Sequence, residues 1–168
     1  MVVLRAPFLE ECMDEQLERE IKEAKKKAMY LLEKQDRTQS QLLAKLREKG
    51  FSEEACEEAL SYVKSFHYID DERYARNYIR YRQHTKSRQQ LKLDLLKKGI
   101  VREDIEAAIA EEYEGNEREM IRKLLLKKHY DPETSDYKEK NRIIAFLMRR
   151  GFLMEDIRAC MQDDGEWG

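Results

Sequence analysis

From Leu9 onward the apolar residues recur in steps of three and four: Leu9, Met13, Leu17, Ile21, Ala24, Ala28 and Leu31. Side chains at that spacing share one face of a helix, so the stripe predicts an amphipathic helix. No Gly or Pro interrupts it, and one long helix from about Glu10 to Gln35 is expected. Its first half is acidic through Glu10, Glu11, Asp14, Glu15, Glu18 and Glu20, and Lys25 to Lys27 follow. Early acids suit the positive end of the helix dipole.

Beyond this helix the pattern repeats. Three stretches align on a glycine: LREKGFSEEACEEAL at Gly50, LLKKGIVREDIEAAI at Gly99 and LMRRGFLMEDIRACM at Gly151. Four residues before each glycine stand Leu46, Leu95 and Leu147, and eight before stand Leu42, Leu91 and Ile143. Just after it come Phe51, Ile100 and Phe152, and ten after come Leu60, Ile109 and Met161. Self-similarity at such a spacing marks a repeated supersecondary unit. A basic residue followed by Gly reads as a left-handed helix C-cap, with the next apolar residue folding back on the last turn.

Twelve residues before the first two glycines, Thr38 with Gln41 and Ser87 with Gln90 read as capping boxes. They open middle helices over 39–48 and 88–97. Ser52, with Glu53 and Glu54 behind it, reads as the N-cap of the next helix. The third copy has Glu139 and Arg142 at the box positions, so its start must differ, and Asp131-Pro132 offers a turn or helix start. Further helical patterns precede the second and third middle helices, over about 71–84 and 117–129.

The expected fold is all-α, a tandem array of three three-helix repeats behind a long N-terminal helix, nine helices in all. The expected divisions are an acidic helical extension over 1–23, repeats over 24–66, 67–115 and 116–162, and a tail over 163–168 that holds Trp167. A unit of such length has room for little core, so neighbours are expected to share apolar contacts.

Composition supports helices: 40% of the 168 residues are charged, 41% are hydrophobic, and only six are Gly and two Pro. High surface charge with thin cores predicts an elongated molecule. The N-terminal MVVLRAPFLEE lacks an apolar run long enough for a signal peptide, and no stretch approaches a membrane span. Cys12, Cys56 and Cys160 fit neither a disulfide framework nor zinc spacing, and they read as core thiols in a reduced cytosolic protein. Nothing in the pattern demands more than a monomer.

Charge distribution changes the picture. The chain totals −2, yet between Arg73 and Arg102 ten Lys or Arg face a single acid, Asp94. On a helix over 71–84, Arg73, Arg76, Asn77, Arg80 and His84 fall on one face, with Ala75, Tyr78 and Ile79 opposite. Tyr74 and Tyr81 flank the stripe. With Arg82, Lys86, Arg88, Lys92, Lys97 and Lys98 these arginines form the candidate contact set. Such a surface can neutralise phosphates while tyrosines stack on bases, or dock on an acidic protein face. The alternative is a solvated face that also pairs with acids of the neighbouring units, against which the bias of ten cations to one acid weighs.

Catalytic chemistry is not evident. Asp70-Asp71 is the one conspicuous carboxylate pair, and a helix N-cap explains it without a partner acid, base or metal ligand. His67, His84 and His129 are isolated, and no Gly-x-Gly occurs. The sequence therefore reads as a non-enzyme without cofactor or metal.

The residues resemble the RecX family, the regulators of the bacterial recombinase RecA. The resemblance rests on Tyr68-Ile69-Asp70-Asp71, Arg73-Tyr74-Ala75, Tyr78-Ile79, Lys86-Ser87-Arg88, Leu91, Leu95 and Lys98-Gly99-Ile100. The first repeat joins through Leu31-Leu32, Arg37-Thr38, Leu42, Leu46 and Lys49-Gly50-Phe51. The match runs from about Ala24 to Met161, and His67 stands where the family usually has glycine. Within the motif, Tyr68, Ile69, Asp70, Asp71, Gly50, Gly99 and Gly151 read as structural. The resemblance implies a modular, curved, all-helical protein that binds in the groove of the RecA–DNA filament and inhibits ATPase and strand exchange. It would thereby modulate recombination and the SOS response. The alternatives are a sequence-tolerant DNA binder acting through the basic central repeat, and a purely structural helical scaffold.

Overall fold

The computed structural model describes residues 6–162, with side chains from residue 10 onward. Leu9, Trp167 and the expected 163–168 tail therefore lie outside what is described of side chains or backbone. Among the described residues there are nine helices and no strand. They are α1 Ala6–Lys34, α2 Gln39–Glu48, α3 Glu53–Ser65, α4 Asp71–Arg82, α5 Arg88–Lys97, α6 Arg102–Glu112, α7 Glu117–Lys127, α8 Tyr137–Arg149 and α9 Met154–Gln162. The two middle helices expected from capping boxes match α2 and α5 in both bounds. Helices α4 and α7 stop two residues short of the expected ends, so His84 lies beyond α4.

The chain divides into two compact units. One comprises the residues up to Tyr74 together with Lys98–Val101, and the other comprises Ala75–Lys97 with everything from Arg102 onward. In the first unit, Ala24 and Ala28 of α1 meet Leu42 and Leu46 of α2 and Ala55, Cys56, Ala59 and Val63 of α3, with Ile69 closing the cluster. The small side chains on α1 and α3 are all fully buried, which lets the two helices pack closely. In the second unit, Ile121 and Leu125 of α7, Leu147 of α8 and Ile157 and Cys160 of α9 form the centre of one cluster. Ile79, Leu91, Leu95 and Ile105 are also buried there, as their helical spacing predicts.

Cys56 and Cys160 are buried, in line with the sequence reading, whereas Cys12 is exposed. Cys12 lies in the part of α1, over 10–16, where every side chain is exposed, Met13 of the apolar stripe included. Burial, assisted by Glu53, pushes the Cys56 thiol up from its ordinary value.

The glycine caps form as expected. Gly50, Gly99 and Gly151 take φ of +90°, +82° and +84°. At Gly50 its N–H donates to Arg47 O (2.9 Å) and Phe51 N–H donates to Leu46 O (3.3 Å). Gly151 repeats this with Met148 O (2.9 Å), and Phe152 N–H with Leu147 O (3.3 Å). This is the Schellman pair, which satisfies terminal carbonyls and folds an apolar side chain onto the last turn. Two further helices end the same way without glycine: His67 and His129 hold φ of +57° and +54°. Tyr68 N–H reaches Val63 O and Tyr130 N–H reaches Leu125 O, both at 3.0 Å. His67, where the related pattern has glycine, thus adopts the glycine conformation.

Each capping hydroxyl has a second task. Thr38 Oγ1 accepts from Gln41 N–H (3.2 Å) and donates to Lys98 O (2.6 Å), while the Gln41 side chain accepts from Thr38 N–H (3.2 Å). In the other unit Ser87 Oγ accepts from Gln90 N–H (3.2 Å) and donates to Arg150 O (2.6 Å). Thr38 and Ser87 are fully buried. The start of one middle helix therefore closes on the glycine turn that ends the next. A Cβ on Gly99 would collide with the Ser40 side chain, and one on Gly151 would stand 2.7 Å from Ser87 Oγ. Nothing lies within 4 Å of the same point on Gly50.

The third middle helix starts differently. Asp131 anchors a turn by accepting from Glu133 N–H (2.9 Å), but the N-cap of α8 is Asp136, which accepts from Glu139 N–H (2.7 Å). The extra residues before this copy extend α8 to 13 residues.

Candidate partner-binding surface

Helix α4 begins as its two aspartates dictate. Asp70 Oδ1 accepts from Arg73 N–H (3.0 Å) and caps α4, whereas Asp71 Oδ1 accepts from Gln39 N–H (2.8 Å) at the start of α2. Both carboxylates are engaged by backbone donors, one more than the capping argument required. Ala75 and Ile79 of α4 are fully buried, while Tyr78, expected in the core with them, is half-buried.

The cations that share the opposite side of α4 do not form one bare stripe. In the first unit, Arg73 is half-buried and its guanidinium donates to His67 O (3.2 Å). In the second, Arg80 holds Glu112 with two bonds, Nη2 to Oε1 at 2.6 Å and Nε to Oε2 at 3.1 Å. Those bonds keep the Glu112 carboxyl below its usual range, with Arg76 adding to the effect. Arg76 itself is half-buried.

Lys86, Asp94 and Tyr78 form a three-membered network. The Lys86 ammonium donates to Asp94 Oδ2, and the Tyr78 hydroxyl donates to the same oxygen at 2.9 Å. Burial works to raise the Asp94 pKa, yet the hydrogen bonds from Lys86 and Tyr78 outweigh it and hold it below the ordinary carboxylate value. The bond to Asp94 raises Lys86 in turn. Lys92 pairs with Glu106 at 2.9 Å. Lys98 lends its carbonyl to Thr38.

Three exposed members of the set form no ion pair among the described residues, although Lys97 adds a weak electrostatic pull on Asp94. The Arg82 guanidinium stands 4.4 Å from the centre of the Tyr78 ring, and that of Arg88 stands 4.9 Å from the Tyr113 ring. A cation over an aromatic face gains modest electrostatic energy without losing its charge to an acid. Lys97, in the last turn of α5, is exposed. Beside Arg88 and Tyr113 opens a cleft of about 520 Å³ that also reaches Asn116 and Arg118. Arg118 is held there by Asp156 (2.7 Å).

Which acids serve as counter-ions is what sequence reading missed. Glu112 is 32 residues from Arg80 and Glu106 is 14 from Lys92, so only the folded chain brings them together. Asp94 was visible as the lone acid of the basic window, eight residues from Lys86. Among the described residues, no group of three or more His, Cys, Asp or Glu is placed to hold a metal ion. None of the described helices is long and apolar enough to cross a membrane.

Comparison with known proteins follows the same order of units. Residues 24–62 match the first three-helix domain of RecX, 70–109 the second and 116–161 the third. The regulatory protein RecX of Caldanaerobacter subterraneus subsp. tengcongensis is 36% identical over 144 residues, spanning 84% of this chain and 71% of its own. That of Clostridium acetobutylicum is 30% identical over 145 residues, spanning 83% and 68%. The crystal structure of a regulatory protein RecX superposes with a TM-score of 0.73 at 26% identity, covering 84% of this chain and 72% of the other. RecX from Lactobacillus salivarius has the same fold, with a TM-score of 0.68 at 24% identity over 86% of this chain and 96% of that one. With three domains matched in sequence order, the chain belongs to the RecX family of regulatory proteins.

Proposed function

We propose that this protein is a non-enzymatic cytosolic regulator that binds the RecA–DNA filament and inhibits recombinase ATPase and strand exchange. In that role it modulates DNA recombination and repair and the SOS response, acting as a monomer without cofactor. The carrying observation is the ordered set of three RecX domains. Units of this kind can touch several filament subunits at once and gain affinity from many weak contacts.

The contact set is the nine cations Arg73, Arg76, Arg80, Arg82, Lys86, Arg88, Lys92, Lys97 and Lys98. Arg82, Arg88 and Lys97 lead it, because Arg80, Lys86 and Lys92 are already paired with Glu112, Asp94 and Glu106. A cation whose charge is matched internally offers less to a partner's acids or to phosphates. That pairing and the overall charge of −2 weigh against a protein that works by DNA binding alone.

The test is the single-stranded-DNA-dependent ATPase rate of RecA, titrated with this protein. Inhibition well below one molecule per recombinase is expected of a filament-level regulator. Absence of inhibition at any ratio, with a matched recombinase and modest salt, overturns the reading.

A further inference from the structure

The first unit carries an aromatic surface of which the recombinase reading uses only Arg73, at its border. At the end of α3, Tyr62, Phe66 and Tyr68 line up in an aromatic ladder. The Tyr62 and Phe66 rings meet edge to face with centroids 5.0 Å apart, and the Phe66 and Tyr68 rings are stacked at 5.8 Å. All three remain open to solvent, at 37%, 53% and 49% exposure. Single exposed apolar side chains are ordinary, but three contiguous aromatic rings at this exposure form a patch that calls for a partner.

Two cations are placed at the ladder. The Lys25 ammonium sits 5.0 Å from the centre of the Tyr62 ring. Arg73 is fixed on the carbonyl of His67, the residue between Phe66 and Tyr68. Two nearby acids, Asp70 and Asp71, are turned to the backbone N–H groups of Arg73 and Gln39. The turn itself is set by the Schellman bonds around His67, so Tyr68 projects from a defined backbone.

The geometry points to a stacking platform for single-stranded nucleic acid, formed by Tyr62, Phe66 and Tyr68 and bordered by Lys25 and Arg73. Bases stack on exposed rings without sequence preference because every base has a π-face, and cations alongside neutralise the phosphates. An apolar protein partner would need only greasy area, whereas this surface combines rings with charges at their margin. The inference is independent of any effect on the recombinase, since it concerns nucleic acid bound by this chain alone.

The test measures binding of a fluorescent oligothymidylate of about 20 nucleotides to the full chain across a salt series. The double variant Tyr62→Leu/Phe66→Leu keeps the apolar area and the helix but removes the rings. It should bind at least about tenfold more weakly, while Tyr62→Phe/Phe66→Tyr retains wild-type affinity. Lys25→Gln should lower the salt slope by about one. Tyr68 is left alone because its backbone closes the α3 cap. A second readout uses the unaltered protein: an oligonucleotide containing 2-aminopurine should lose fluorescence on binding, as a stacked base does. Leucine variants that bind like the wild type overturn the platform and assign the site to an apolar protein partner. Wild-type protein that fails to bind the oligonucleotide, or binds it without quenching, overturns it as well.

Discussion

His67 occupies a backbone conformation that L-residues other than glycine enter at a cost, with φ of +57°. Its backbone completes the α3 cap, so only the side chain can be relieved. His67→Gly should raise unfolding stability by about 0.5–1 kcal/mol, the strain relief exceeding the added freedom of the unfolded chain. Urea denaturation measures it, and a loss of stability would show that the imidazole holds a contact worth more than the strain. Asp94 is the residue with most at stake electrostatically, because Lys86 and Tyr78 both depend on it. Asp94→Asn should cost about 1–3 kcal/mol near neutral pH, leaving a part-buried ammonium without its anion. The folded pKa of Asp94 is depressed. Its contribution is therefore complete above the unfolded value of about 3.9 and fades as pH falls through the lower folded value. Variant and wild type should accordingly converge in stability in strong acid, which urea melts at about pH 7 and about pH 2 compare.

Among the elements, the three glycine turns look equivalent in sequence and are unequal in the fold. Gly50, Gly99 and Gly151 all need positive φ, but only the last two also accept the start of another helix against them. Gly50→Ala should cost roughly 1 kcal/mol from backbone conformation alone. Gly99→Ala and Gly151→Ala should cost roughly 2–4 kcal/mol, because each new methyl must displace Ser40 or Ser87. Thermal unfolding of the three variants ranks them directly, and equal losses would mean the junctions yield without penalty. The hydroxyls of Thr38 and Ser87 are the other half of these junctions, each joining a helix start to a carbonyl some 60 residues on. Their capping role was readable from the spacing to Gln41 and Gln90. The long-range bond was not, because no local pattern encodes which turn a hydroxyl will meet.

For the whole molecule, the decisive quantity is how much of the basic window stays available to a partner. Ten cations against one acid make a strong local excess in sequence. Folding returns Glu106 and Glu112 to that excess, so the surface charge is lower and less even than the window alone implies. On the function proposed above, Arg82→Glu/Lys97→Glu should therefore weaken recombinase inhibition about tenfold or more while helical circular dichroism is unchanged. Arg80→Glu instead sets a carboxylate against Glu112 and should lower stability, so its effect on inhibition cannot be assigned to the interface. If the Arg82/Lys97 variant inhibits like the wild type, the second unit's exposed cations are not the contact. Each unit has its own buried cluster, so substitutions aimed at one surface can be checked against the melting of the whole chain.

The order of the helices and both bounds of α2 and α5 followed from the sequence because they depend on local physics: apolar spacing, capping hydroxyls and positive-φ glycines act within a few residues. The same local signals placed Ala75, Ile79, Leu42, Leu46, Leu91 and Leu95 in the core, where they are fully buried. The Asp136 cap of α8 was also legible, three residues before Glu139, but Asp131-Pro132 upstream drew the expected start elsewhere. What the sequence alone could not supply was every interaction between residues far apart along the chain. Arg80 with Glu112, Thr38 with Lys98 and the meeting of Lys25 with the ring of Tyr62 arise from packing of separate helices. Charge and aromatic content are local properties of a segment, whereas pairing and exposure belong to the surface that tertiary packing creates.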